Sequence, residues 1–298
     1  MEYVICVDAG GTKSAASAIS TSNGSVLCTH ICGAGNLSTN PDGAQANIEG
    51  AIAGCLLQNA PAALVVGAAG VSGFSEKEAF CTSLQERFGC PAYLISDAEL
   101  GLYAAFHGDD GILCIAGTGS ILYGKKDNHI LRCGGWGHLL GDEGSGCAVG
   151  LAALRAIVNR WDCAQNQPSF CADILELAQI HSVPEIPTFV YQAQKAQIAA
   201  LMPAVEKAAQ SGDPCAAEIL KTQGALLAQT ALRLCRNLQY TNPRILPMGG
   251  AVLKSKLLYS AFADGVQREL PEALLVTASE DFVPQRGGYY FWLTTRRL

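Results

Sequence analysis

The chain is poor in charge. Its 298 residues carry 20 Lys and Arg against 26 Asp and Glu, 15% in all, where a globular protein ordinarily has about a quarter. With 49% hydrophobic residues, this is the reverse of the balance that keeps a chain disordered. A basic stretch is missing too. The net charge is −6 and like charges never run beyond two or three. Nucleic-acid binding leaves a basic footprint, so no nucleic-acid partner is expected, and the modest acidity serves solubility. Long apolar runs are also absent. The longest are about ten residues, roughly half of what a membrane span needs, so no membrane partner is expected.

Paired-cysteine motifs do not occur. Thirteen cysteines cannot all pair, and there is no C-x-x-C. Cys28 and Cys32, four apart, are the tightest pair; zinc and iron–sulfur clusters want closer ligand sets. Met1-Glu2-Tyr3 runs straight into a strand-like segment, with no basic start and no A-x-A site. The expectation is a cytoplasmic protein whose reduced thiols serve as small buried hydrophobes. Two nucleotide motifs are missing as well. No Walker A spacing is present, and no G-x-G-x-x-G follows a strand.

Glycine, by contrast, is abundant: 32 residues, above the usual level of about 7%. That implies many tight turns or many places where backbone approaches a ligand. The length suits two domains of roughly 150 residues each. Apolar runs at Tyr3–Val7, Ser14–Ser20 and Ser25–Ile31, the last after Asn23-Gly24, predict an antiparallel meander. A helix is predicted over Ala44–Gln58, with Pro41 and Asp42 marking its start. Then follow a fully apolar strand, Ala63–Ala69, a helix over Ser75–Phe88 with Ser75 and Glu78 spaced as a capping box, a strand over Ala92–Ser96 and a helix over Asp97–Phe106. The order begins again at Gly111–Ala116, Ile121–Gly124 and Ile130–Cys133. Strand, glycine turn, strand, turn, strand thus occurs twice, which points to an internal duplication. Helices follow over Cys147–Arg160, from Asp213-Pro214 to about Leu238, and over Lys254–Leu270, with strands at Ile245–Met248 and Leu274–Ala278. The division expected is 1–107 and 108–298, the second part carrying a helical insertion and the final segment free to return to the first.

The first glycine turn, D-A-G-G-T-K at 8–13, lies between two strands. Gly10 and Gly11 leave backbone N–H groups open to a polyphosphate, Thr12 adds a hydroxyl and Lys13 a cation. Asp8 is placed to hold Mg²⁺ directly or through water. A plain hairpin would look the same. Gly117-Thr118-Gly119-Ser120 repeats the device in the second half, and Gly249-Gly250 ends a strand and opens a helix, as a nucleoside site would. Asp97 ends a strand, where it is either an N-cap or a base for a hydroxyl nucleophile. Between Cys133 and Ser145 the chain reads C-G-G-W-G-H-L-L-G-D-E-G-S. Its glycines suit close backbone contact with a polar ligand, Asp142 and Glu143 suit sugar hydroxyls, Trp136 suits a pocket wall, and His138 reads as structural.

G-T-G-S at 117–120 followed by this loop at 133–145, with D-A-G-G-T-K and the weaker P-M-G-G-A-V at 247–252, resembles the N-acetylglucosamine kinases. They belong to the actin-like sugar-kinase and ATPase superfamily, in its benzoyl-CoA-reductase-activase-type branch. The resemblance covers roughly residues 3 to 285. It implies an α/β fold of two duplicated actin-like, ribonuclease H-like lobes with a ligand cleft between them, taking ATP, Mg²⁺ and a small amino sugar, in a homodimer. Thr12 and Thr118, with Gly10, Gly11, Lys13, Gly119, Gly249 and Gly250, would address ATP; Ala209 would neighbour the adenosine. Asp97, in S-D-A-E-L-G, matches the family's base. Asn36, in G-A-G-N, matches a sugar-binding Asn, with Asn40 a rival. Gly135, Trp136, Gly137 and Asp142 match the sugar loop, where Asp97 also touches sugar. The closing Q-R-G-G-Y-Y-F-W-L-T-T-R-R-L departs from the family's small-residue closing helix.

The activity implied is ATP-dependent phosphorylation of the 6-hydroxyl of N-acetylglucosamine, with glucosamine and N-acetylmuramic acid as alternative substrates. An activase-type ATPase coupled to a partner reductase is a further alternative, but it would need close cysteines for a cluster. A non-catalytic sugar sensor sits poorly with Asp97, and the zinc motif of ROK-type kinases is absent.

Overall fold

A computed structural model describes residues 1–279 and 282–296. The chain forms two compact units, one from Met1–Asp109 with Ala278–Leu298 and one from Asp110–Thr277.

In the first unit, β1 (Tyr3–Ala9), β2 (Ser14–Ser20) and β3 (Val26–Cys32) form the antiparallel meander, and α1 (Pro41–Ala53) follows. Next come β4 (Leu64–Ala68), α2 (Lys77–Phe88), β5 (Ala92–Ser96) and α3 (Asp97–Phe106). The sheet order is β3-β2-β1-β4-β5, with β4 parallel to β1 and β5 parallel to β4. Every residue of β4 is buried, as its unbroken apolar run requires when both faces are covered. Gly67 in β4 leaves room for α3, since a Cβ there would stand 2.6 Å from Leu100 Cβ.

The second unit repeats the plan. Here β6 (Gly111–Ala116), β7 (Ser120–Lys126) and β8 (His129–Gly134) form the meander. Six helices follow: α4 (Gly146–Asp162), α5 (Cys171–Leu177), α6 (Ile186–Gln192), α7 (Lys195–Ala199), α8 (Met202–Gln210) and α9 (Pro214–Asn237). Then come β9 (Arg244–Met248), α10 (Gly250–Lys254), α11 (Lys256–Glu269) and β10 (Leu274–Leu275). The order β8-β7-β6-β9-β10, with β9 parallel to β6 and β10 parallel to β9, has the same connectivity as the first sheet. The duplication read from the strand-and-turn pattern is therefore a duplication of topology.

Several boundaries differ from expectation, each for a local reason. The first helix is capped by Asn40, whose Oδ1 accepts from Gly43 N at 3.2 Å, and it ends at Ala53, with Gly54 at its C-cap, rather than at Gln58. No capping box forms at Ser75 and Glu78. The turn led by Gly70 (φ 78°) carries the chain past Ser75, and α2 starts at Lys77. The helix expected over 254–270 is two helices, because Ser255 leaves helical geometry to cap α11, accepting from Leu258 N at 3.3 Å. The last strand has two residues instead of five, pairing only with Arg244 and Ile245. The thirteen cysteines are all free, and burial pushes the thiols of Cys6 and Cys114 up.

The bulky closing segment is a helix, α12 (Arg286–Thr295), lying in the first unit against β1, β4 and α3. Trp292 is buried among Val4, Val65 and Leu100, and Phe291 meets the rings of Tyr93 and Tyr103 edge-on at 5.5 and 5.3 Å. Its small residues are two. A Cβ on Gly287 would overlap the Leu100 carbonyl oxygen, and one on Gly288 would stand 2.7 Å from Cys6 Sγ. Arg297 and Leu298 lie outside the described residues. Gly287→Ala should accordingly cost roughly 1–3 kcal/mol through overpacking, read as a fall in melting temperature; an unchanged melting curve would show that α12 does not press on α3 as described.

Candidate active site

Strand ends carry the polar residues in both units. In the first, Asp8 is half-buried near the end of β1, and the turn after it closes through Gly10 N donating to Lys13 O at 2.9 Å. Gly35 N donates to Gly10 O at 2.8 Å, tying the loop of Asn36 to this turn. Nothing stands within 4 Å of where a Gly11 Cβ would be, and Gly11, Thr12 and Lys13 are exposed. The turn thus presents bare backbone, a hydroxyl and an ammonium to solvent.

Asp97 begins α3, but Ser96 is the cap: its Oγ accepts from Glu99 N at 3.0 Å. The capping role is taken, and the Asp97 carboxylate reaches solvent while accepting from Ala98 N at 2.9 Å. Lost hydration raises its pKa above the usual carboxylate value, and backbone N–H groups offset only part of that. Asp8 is raised too, first by burial, then by the charge of Asp97, with Lys13 opposing. The two carboxylates therefore share one neighbourhood, two strands apart across Gly67. Asn36 is half-buried; its Oδ1 accepts from Ser38 N at 2.9 Å and Ser38 Oγ at 2.8 Å. Among the described residues its amide nitrogen donates to no protein group. Its rival Asn40 is spent on capping α1.

In the second unit the 117–120 turn sits on the start of α4. Gly117 N donates to Gly119 O at 2.9 Å, Gly146 N to Gly117 O at 2.8 Å, and Cys147 N to Thr118 O at 3.2 Å. Thr118 is exposed, and Ser120 Oγ donates to Glu143 O at 2.8 Å. A cavity of about 640 Å³ opens beside the turn, lined by Gly117, Thr118, Gly146, Gly250, Glu206 and Gln210 among others. Gly249 (φ 103°) does not line it. It lets α10 start against the strand end, since a Cβ would stand 2.5 Å from Ala116 O. Ala209, expected beside the adenosine, packs toward the core, and its neighbours Glu206, Lys207 and Gln210 line the cavity instead. Glu206 Oε2 is buried with no hydrogen-bond partner among the described residues, a ready acceptor for a ligand donor.

The loop 134–145 bends through left-handed backbone at Gly134, Gly135, Gly137, Asp142 and Gly144. Trp136 is 65% exposed, with the Arg132 guanidinium 4.4 Å over its ring. His138 is half-buried. Asp142, expected at sugar hydroxyls, is 1% exposed and faces Lys195, its Oδ2 lying 2.5 Å from Nζ. Lys195 lies 53 residues further along the chain, in no motif, so nothing local in the sequence marks it.

No group of three or more His, Cys, Asp or Glu stands together as a metal cage among the described residues. Mg²⁺ in kinases holds mainly phosphate oxygens and water, with one or two carboxylates, so the half-buried carboxylate of Asp8 fits that role.

Two sheets of one topology, each opening a glycine-and-hydroxyl turn after its first strand, make a duplicated α/β fold of the actin-like class. Within that class, the chain belongs to the BadF/BadG/BcrA/BcrD ATPase family, whose model matches residues 5–281. It is 28% identical to an N-acetylmuramic acid/N-acetylglucosamine kinase of Clostridium acetobutylicum, over 94% of this chain and 95% of that one. It is 25% identical to an N-acetyl-D-glucosamine kinase of Dictyostelium discoideum, over 99% of each. A crystal structure from Chromobacterium violaceum, provisionally named an N-acetylglucosamine kinase, shares the fold with a TM-score of 0.73 at 24% identity, covering 97% of this chain and 98% of its own.

The raised pKa of Asp97 has a thermodynamic sign. Its carboxyl holds a proton more tightly folded than unfolded, so ionisation opposes folding once pH exceeds the unfolded value, and the penalty is full above the folded value. Asp97→Asn should therefore be no less stable than the parent at pH 7, with the difference shrinking on acidification. Thermal melts at pH 7 and pH 3.5 check this; a variant less stable at neutral pH contradicts it.

Proposed function

We propose that the chain is an ATP-dependent amino-sugar kinase that phosphorylates the 6-hydroxyl of N-acetylglucosamine. The carrying observation is Asp97, a carboxylate of raised pKa held at the start of α3 in a chain whose relatives are named as kinases of this sugar. In the reaction the 6-hydroxyl oxygen forms a bond to the γ-phosphorus and the bond from that phosphorus to the β,γ-bridging oxygen breaks. ADP leaves, and the hydroxyl proton passes to Asp97. A base of raised pKa takes that proton more readily than an ordinary carboxylate.

Phosphoryl transfer needs chiefly positioning and charge stabilisation. In the first unit, the turn that Gly10 N closes leaves the N–H of Gly11, with Thr12 and Lys13, to offer donors to phosphate oxygens. Mg²⁺ near Asp8 would neutralise phosphate charge. Asn36 offers its free amide nitrogen to the sugar. In the second unit, Thr118 and Gly119 offer the matching turn, and the cavity by Gly250 and Glu206 suits a nucleoside. Gly135, Trp136 and Gly137 offer an apolar wall and bare backbone for a flat N-acetyl group. The free thiols fit a cytoplasmic setting.

Turnover on a panel of amino sugars and glucose tests the substrate. N-acetylglucosamine should exceed glucose at least tenfold in kcat/KM, a difference of about 1.4 kcal/mol that one hydrogen bond or one filled pocket supplies; equal use of both sinks the assignment. Asp97→Asn should lose about 10²–10⁴-fold in kcat while sugar still binds, and near-normal turnover would remove Asp97 as the base. Activity should also require Mg²⁺ or Mn²⁺ and ignore zinc-selective chelation; loss on zinc removal would refute the reading of the cysteines.

A further inference from the structure

The second unit holds a cation that the reaction above leaves unused. Asp142 is 1% exposed, and Lys195 Nζ lies 2.5 Å from its Oδ2 with the side chain still 34% exposed. No hydrogen bond of ordinary geometry reaches that oxygen among the described residues, so the pair is held by charge, and an ammonium has three N–H donors to direct.

Its position matters more than its partner. A Cβ on Gly119 would overlap Lys195 Nζ and stand 2.9 Å from Asp142 Oδ2. The ammonium therefore rests on the bare α-carbon of the 117–120 turn. Its backbone is fixed there: α7 lies so close on α4 that a Cβ on Gly150 would overlap Ile198 O, and α4 is bonded back to the turn through Gly146 N and Cys147 N. Lysine, helix and turn form one block, and Ala196, next to Lys195, lines the cavity. The turn's own donors are neutral N–H and hydroxyl groups, whereas a nucleotide polyphosphate brings several negative charges. A charge-assisted bond to phosphate is roughly twice as strong as a neutral one.

We propose that Lys195 binds the β- and γ-phosphates of the nucleotide at the Gly117–Ser120 turn, with Asp142 holding it in place while no phosphate is bound. This rests on reading that turn as a nucleotide site. The buried carboxylate keeps the long side chain from wandering into solvent, and the exposed third of it leaves a path to the phosphate. Gly119 is glycine for the same reason, since any side chain would occupy the place of the ammonium.

The test is calorimetric titration of adenosine, AMP, ADP and ATP without sugar, on the parent, on Lys195→Met and on Lys195→Met/Asp142→Asn. The double variant guards against an unpaired buried carboxylate, which by itself is strongly destabilising. Adenosine should bind all three within about twofold. ADP and ATP should weaken tenfold or more in both variants, with a shallower dependence on salt. Equal weakening of adenosine and ATP, no weakening, or a double variant that fails to fold would each overturn the inference by making the pair structural. A parent protein that binds no nucleotide would instead overturn the kinase reading.

Discussion

The 117–120 turn exists in this form because two of its four residues, Gly117 and Gly119, carry no side chain. Gly117 faces open space, Gly119 yields its place to the Lys195 ammonium, and Gly249 lets the next helix begin against the strand end. Three missing Cβ atoms thus do separate things within one small region. One bares backbone for a ligand, one admits a charge, and one brings a helix start close. The first unit meets the same demand more simply, with Gly11 clear of other atoms and Lys13 supplying its cation from within the turn.

The electrostatics of the two units are opposite in kind. In the first, Asp8 and Asp97 lie near enough that the charge of one raises the pKa of the other. Asp97 itself is raised by lost hydration, which favours proton uptake and suits a base. In the second, a more deeply buried carboxylate, Asp142, is neutralised by Lys195. Duplicated topology has been filled with different chemistry, as expected when function lies in side chains placed on a fold.

Much of this was legible in the sequence where the signal is local. The meanders, both glycine turns and the strand-end Asp97 announce themselves through alternation, Gly-Gly and a short apolar run. Signals that depend on tertiary contact were not legible. Lys195 has meaning only because α7 folds onto α4. Ala209 faces the core because neighbouring residues on α8 face the cavity. The helix over 286–295 carries two glycines and bulky aromatics, weak helix formers by propensity, and is held by the packing of Trp292 and Phe291. Ser255 reads as an ordinary helix residue, yet its hydroxyl caps the following segment and splits the helix.

The closing helix also sets an order of events during synthesis. The second unit is one continuous stretch, 110–277, whereas the first draws on residues both before and after it. Its meander emerges from the ribosome before the second unit, but the face of Val4, Cys6, Val65 and Leu100 stays uncovered until 286–295 has been made. The nascent first unit must therefore wait, with apolar surface exposed, while the second unit is translated. Such surface is what chaperones bind and what aggregates, so a helix made after the second unit governs the yield of a sheet made before it.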